Sequence, residues 1–104
     1  MTTPMRGDLW FVRLHPTESP VMAVVINGEH EEYEPEIFAV IPHEARPTEF
    51  RLDVPVTNRI FRDGVFNVQR LTSIQRNQFE QSLGVMPPSD LDAIENRLYA
   101  WLDL

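Results

Sequence analysis

The sequence predicts a mainly β domain of five to six short antiparallel strands closed by one C-terminal α-helix, α+β by helix content. Three observations predict it. Short runs of β-branched and aromatic residues recur from Leu9 to Met86, prolines and Asn-Gly or Asp-Gly pairs separate them, and apolar residues switch to helical spacing after Pro87-Pro88. The chain of 104 residues is long enough for one modest core, so positions 1–104 are read as a single domain.

The first strand is Leu9 to Leu14, whose aromatic and β-branched residues suit a half-buried pleated surface. The segment from His15 to Pro20 breaks it. Val21 to Ile26 then runs apolar without alternation, as a strand covered on both faces does, and Asn27-Gly28 turns the chain. Ile37 to Ile41 is a third strand ending at Pro42. Phe50 to Val56 is a fourth, with period-two alternation, and Pro55 places it at an edge or its end. Asp63-Gly64 leads into a fifth, Val65 to Leu71, with Phe66 and Val68 on one face and Asn67 and Gln69 on the other. Phe79 to Met86 adds a short sixth. In the closing helix Ser89 is the expected N-cap with Asp92 as its capping-box partner, and Leu91, Ile94, Leu98, Trp101 and Leu102 form one apolar stripe. Trp101 on that stripe reads as core, with partner binding as the alternative.

Composition narrows the chemistry. The chain has no cysteine, which removes thiolate nucleophiles, thiolate metal sites and disulfides. All nine basic side chains are Arg, so Schiff-base catalysis is excluded while bidentate phosphate or carboxylate recognition stays available. The net charge of -7 argues against generic nucleic-acid binding, but it is unevenly spread. Glu29, Glu31, Glu32, Glu34 and Glu36 crowd one stretch without calcium-loop spacing, which reads as a solvated loop; outside it the charges nearly balance. No run is long and apolar enough for a membrane span and the first residues lack secretory character, so a soluble cytoplasmic protein is expected.

Arg6-Gly7-Asp8-Leu9-Trp10 leading into Pro20-Val21, the segment Leu71-Thr72-Ser73-Ile74, and the apolar positions of Leu91 to Leu104 together resemble the MazF/PemK family of bacterial growth-inhibiting toxins. The resemblance extends over essentially the whole chain. It implies a small SH3-like, partly open barrel and a homodimeric, sequence-specific endoribonuclease that acts on single-stranded RNA. It further implies inhibition by an antitoxin whose acidic tail lies across the RNA site. No cofactor or metal is implied: the ribose hydroxyl beside the scissile phosphate attacks, and the protein supplies a base, an acid and a cation.

Several positions depart from the family pattern. Ser19 stands where the family places an Arg before the Pro of the second strand, and a hydroxyl cannot replace a guanidinium as a phosphate clamp. His43 follows Pro42 where a Thr or Ser is common, Asn67 and Gln69 replace an Arg and acid pair, and Arg70 and Thr72 occupy shifted places. The family's usual machinery is therefore lost or rebuilt. The rebuilt form would use His15 and His43, which face one cleft if the fold holds, as acid and base, with Arg46 or Arg70 for the phosphate and Ser19, Asn67 and Gln69 as further substrate contacts. His30 among glutamates carries no specific role.

Two other readings stay open. One is a non-catalytic protein-binding domain of the same fold, either a gyrase poison similar to CcdB, which depends on a Trp near its C-terminus, or a degenerate toxin kept for protein contacts. The other is a small barrel adaptor with no toxin role.

Overall fold

The computed structural model describes residues 2–56 and 63–104. Seven strands and a helix follow in order: β1 (Asp8–Val12), β2 (Val21–Val25), β3 (Ile37–Glu44), β4 (Asp53–Val56), β5 (Gly64–Asn67), β6 (Thr72–Gln75), β7 (Phe79–Val85) and α1 (Pro88–Leu102). Among the described residues all pairings are antiparallel, and the sheet does not close. The strand order is β4-β5-β3-β2-β1-β7, with β6 alongside the first half of β3. Seven strands replace the five to six expected, in the same mainly β, partly open architecture with a C-terminal helix.

The extra strand comes from a break in the fifth expected one. Asn67 accepts a hydrogen bond from the Gln69 amide at 2.8 Å, and this side-chain bond starts a 3-10 turn, Val68–Arg70, in place of continued strand. The chain resumes as β6. Asn67 and Gln69 consequently do not share a face: Asn67 is buried and Gln69 exposed.

β3 runs past Pro42 instead of ending there. Ile37–Val40 pair with β6 and His43–Glu44 pair with β5, while β2 runs along the other edge. Pro42 sits where β3 has left β6 and not yet met β5, so its missing N–H falls at the gap in that ladder. This one strand therefore joins two sheet segments, and its last residues reach the candidate site.

Each face of the sheet carries an apolar cluster. Leu9, Val24, Ile41, Phe66 and Val68 meet Ile94 and Leu98 of α1 on one side. On the other, Trp10, Val12, Val25, Phe38, Val40 and Phe79 pack together, with Phe79 edge-on to both Trp10 (5.5 Å) and Phe38 (5.0 Å). The apolar character of β2 without alternation follows from this double coverage. Gly84, at φ +133°, lies at an irregularity where β7 shifts register against β1.

The helix differs from expectation at both ends. Pro87 is its N-cap and Pro88 its first residue, so Ser89 lies inside the first turn and makes no cap; the fixed φ of proline starts the helix instead. Arg6 pairs with Glu95 to hold the helix against the start of β1. The apolar stripe is buried at Ile94 and Leu98 and ends there. Trp101 is 38 % exposed and Leu102 47 %, beside exposed Tyr99 and Leu104, so the last turn lies outside the core. No helix among the described residues is long and apolar enough to cross a membrane.

The acidic stretch is a loop, as expected. His30 is more engaged than its sequence context suggests: its Nε2 lies 2.6 Å from the Ile37 carbonyl and its ring packs edge-on to Phe38 at 4.7 Å, fastening the loop to β3.

Candidate functional site

A groove of about 410 Å³ opens where β3, β6 and the loop after β1 meet. His15, His43, Glu44, Arg70, Thr72 and Ser73 line it over an apolar base that includes Val21, Pro42 and Ile74. Three of the residues singled out from the sequence, His15, His43 and Arg70, are brought together here. None of the five loop glutamates lines the groove, so the charge that dominates the composition is placed elsewhere.

Each lining residue has a local reason for its place. His15 sits on the loop between β1 and β2, where the Glu18 amide bonds back to the His15 carbonyl at 3.1 Å. Arg13 bonds the Glu18 carbonyl and pairs with Glu80 of β7 at 2.6 Å, and Gln78 bonds the Arg13 carbonyl at 3.0 Å. The loop is tied down on both sides, which limits the volume His15 can sweep. His43 is the penultimate residue of β3 and packs edge-on to Phe66 at 5.3 Å. Its ring also covers Gly64: a Cβ there would lie 2.5 Å from His43 Nε2 and would crowd the Glu44 carbonyl. Gly64→Ala is therefore expected to cost about 1–3 kcal/mol through forced overpacking. A urea unfolding series measures it, and unchanged stability would remove Gly64 as the seat of the imidazole.

The other expected site residues lie elsewhere. Ser19 is exposed on the His15 loop and is not part of the groove lining, and Gln69 is likewise exposed outside it. Arg46 and Asn67 belong to a polar cluster behind β3, centred on Asp53. That carboxylate, 1 % exposed, accepts two bonds from Arg46 (2.7 and 2.8 Å), one from Asn67 Nδ2 (2.7 Å) and one each from the Glu49 and Phe50 amides (2.9 Å). Arg46 foremost, then the two amides and Asn67, hold the Asp53 carboxyl far below the usual carboxylate range, and Asp53 in turn raises the Arg46 guanidinium further. Arg46 also donates to Glu44 at 2.8 Å and lies over the Phe50 ring at 5.1 Å.

Two residues that matter to this arrangement carry no signal in the sequence. Asp53 stands between buried Leu52 and Val54, where alternation would have put it in solvent. Glu44 reaches the groove only because β3 continues past Pro42. Among the described residues no cluster of His, Asp and Glu side chains could hold a metal ion. Besides the Glu44 carboxylate and the Gln78 amide, the lining residues carry two imidazoles, two hydroxyls and one guanidinium, groups that can move protons and neutralise an oxyanion; His43 Nε2 is buried against Gly64, so proton transfer by that ring falls to Nδ1.

No protein-family model matches the sequence, and no curated protein matches it. Solved structures do. MazF from Deinococcus radiodurans (Form-I) superposes with a TM-score of 0.84 at 16% identity, covering 100% of both chains. The MazE-MazF complex (Form-II) from the same organism gives 0.84 at 17% over 100% of this chain and 99% of that one. An endoribonuclease in complex with its cognate antitoxin from a mycobacterial species gives 0.82 at 14%, over 100% and 97%. At such identities the backbone arrangement is what is shared, and it is shared from end to end: this chain has the MazF/PemK-like fold.

Proposed function

We propose that the chain is a MazF-like growth inhibitor, the toxin member of a toxin–antitoxin pair, and that it cleaves single-stranded RNA in the groove between His15 and His43. One observation carries the reading: His15, His43 and Arg70, from three separate segments, line the same groove. In the proposed step the 2′-hydroxyl attacks the adjacent phosphorus while one imidazole takes its proton. The P–O5′ bond breaks as the other imidazole protonates the leaving oxygen. Arg70 and the hydroxyls of Thr72 and Ser73 stabilise the charged phosphorane, and the products are a 2′,3′-cyclic phosphate and a 5′-hydroxyl end. Arg70 and the two histidines would meet an acidic antitoxin tail in this groove, alongside Glu44, and a homodimer would occupy sheet edges that are unpaired among the described residues.

Expression from a tight promoter tests this. Growth arrest with fragmented RNA, relieved by co-expression of a short acidic chain encoded next to this one, is the expected result. Harmless expression with intact RNA would contradict it.

The exposed end of α1 favours a second reading, a CcdB-like or adaptor role in which Trp101, Tyr99, Leu102 and Leu104 bind a protein. The two readings separate on Trp101→Ala. The ribonuclease account expects growth inhibition unchanged by this partly exposed substitution, whereas loss of inhibition together with a trapped gyrase–DNA complex in the parent protein would establish the second.

A further inference from the structure

We propose that Glu44 sets how strongly the groove binds phosphate, by holding Arg70 in an ion pair that an incoming phosphate must break; this rests on the reading of the groove as an RNA site. The Glu44 carboxylate has two guanidinium partners. Arg46 donates to its Oε2 from Nη2 at 2.8 Å and from Nε at 3.2 Å, and Arg70 Nε lies 3.4 Å from its Oε1. Arg46 is itself clamped by Asp53, so charges of alternating sign run Asp53–Arg46–Glu44–Arg70 from the interior to the groove.

Side-chain exposure rises along that chain, from 0 % at Asp53 through 23 % at Arg46 and 26 % at Glu44 to 66 % at Arg70. The carboxylate is thus anchored from behind, and the guanidinium at the end is the part able to move. A long, solvent-exposed contact of this kind is easily opened. When Arg70 swings to a phosphate, Glu44 stays, and its negative charge remains beside the bound anion. Thr72 and Ser73, on β6 beside Arg70, are neutral and do not offset it. Glu44 therefore weakens phosphate binding twice, by occupying the cation and by repelling the ligand.

The test is binding of a short oligodeoxyuridine, which lacks the attacking hydroxyl and so stays intact, followed by fluorescence anisotropy across a salt series. Glu44→Gln keeps an acceptor for Arg46 and removes the charge; it is expected to tighten binding about tenfold and to steepen the salt dependence by about one phosphate contact. Arg70→Ala is expected to weaken binding, and adding Glu44→Gln to it to recover only the part due to repulsion, well short of the tenfold seen when Arg70 is present. If Glu44→Gln melts below the parent, Glu44→Asp, whose shorter carboxylate draws back from Arg70 but keeps its charge, must still tighten binding, by less than tenfold. Parent binding that depends on Arg70 but is not improved by either Glu44 variant overturns this proposal alone. Absence of binding by the parent and every variant overturns both it and the RNA-site reading.

Discussion

Asp53→Ala is expected to destabilise the protein by about 3 kcal/mol or more, the cost of removing one partner from a buried ion pair. For a domain of this size that is a fall in Tm of roughly 12 °C or more. The reason lies in what is left behind. Asp53 accepts from Arg46, from Asn67 and from the backbone of Glu49 and Phe50, so its loss takes this acceptor from a side-chain amide and two N–H groups and leaves Arg46 with Glu44 as its close carboxylate partner. The same carboxylate predicts an acid dependence. Its folded-state pKa lies below the unfolded value, so the stabilisation is fully present above the ordinary carboxylate range and is lost as pH falls below about 4. Asp53→Asn should lower stability at neutral pH and flatten the acid limb of a stability-against-pH curve. A variant as stable as the parent at pH 7, with the same acid limb, would show that the cluster does not hold β4, β5 and the end of β3 together.

His15→Ala and His43→Ala are each expected to lower RNA cleavage by about a hundredfold or more, the usual contribution of a positioned acid or base. In the proposed step the two imidazoles act together, so the double variant should fall well short of the product of the single losses. His15 is exposed on its loop, so His15→Ala should leave the melting temperature unchanged and report chemistry alone. His43 also packs on Phe66 and Gly64, so part of its effect will be structural; comparing cleavage at temperatures well below each Tm separates the two. Undiminished cleavage by His15→Ala would move the acid–base pair away from this groove.

The parts of the fold legible in the sequence are those set by repeated local chemistry. The double-sided burial of β2 shows as an unbroken apolar run, and the helix shows as Ile94 and Leu98 at helical spacing. The parts that were not legible depend on single long-range or side-chain bonds. β6 exists as a separate strand because the Asn67 side chain captures the Gln69 amide, and a propensity reading takes Val65 to Leu71 as one strand. β3 passes Pro42 because the ladder changes partner there, which no pattern within the strand reveals. The last turn of α1 keeps an apolar stripe although the body beneath it ends, leaving Trp101 part-exposed.

The site divides in the same way. His15, His43 and Arg70 could be placed together because each follows or closes a strand whose order was readable. Arg46 and Asn67 looked equally available by residue type, yet both are bound to Asp53, a carboxylate whose burial breaks the alternation of its own strand. Glu44 escaped notice because it lies beyond the proline that appeared to end β3. Sequence spacing locates side chains along an element, but which cations already have a carboxylate partner is decided by packing between elements.

The proposed reaction is cleavage of RNA in the groove through the ribose hydroxyl, with His15 and His43 as acid and base. Incubation of the purified protein with a mixed-sequence RNA, with analysis of the ends produced, tests it most directly. The account predicts fragments with 5′-hydroxyl and 2′,3′-cyclic phosphate ends from the parent and almost none from the His15→Ala, His43→Ala double variant. Intact RNA with the parent, or equal cleavage by the folded double variant, would contradict it.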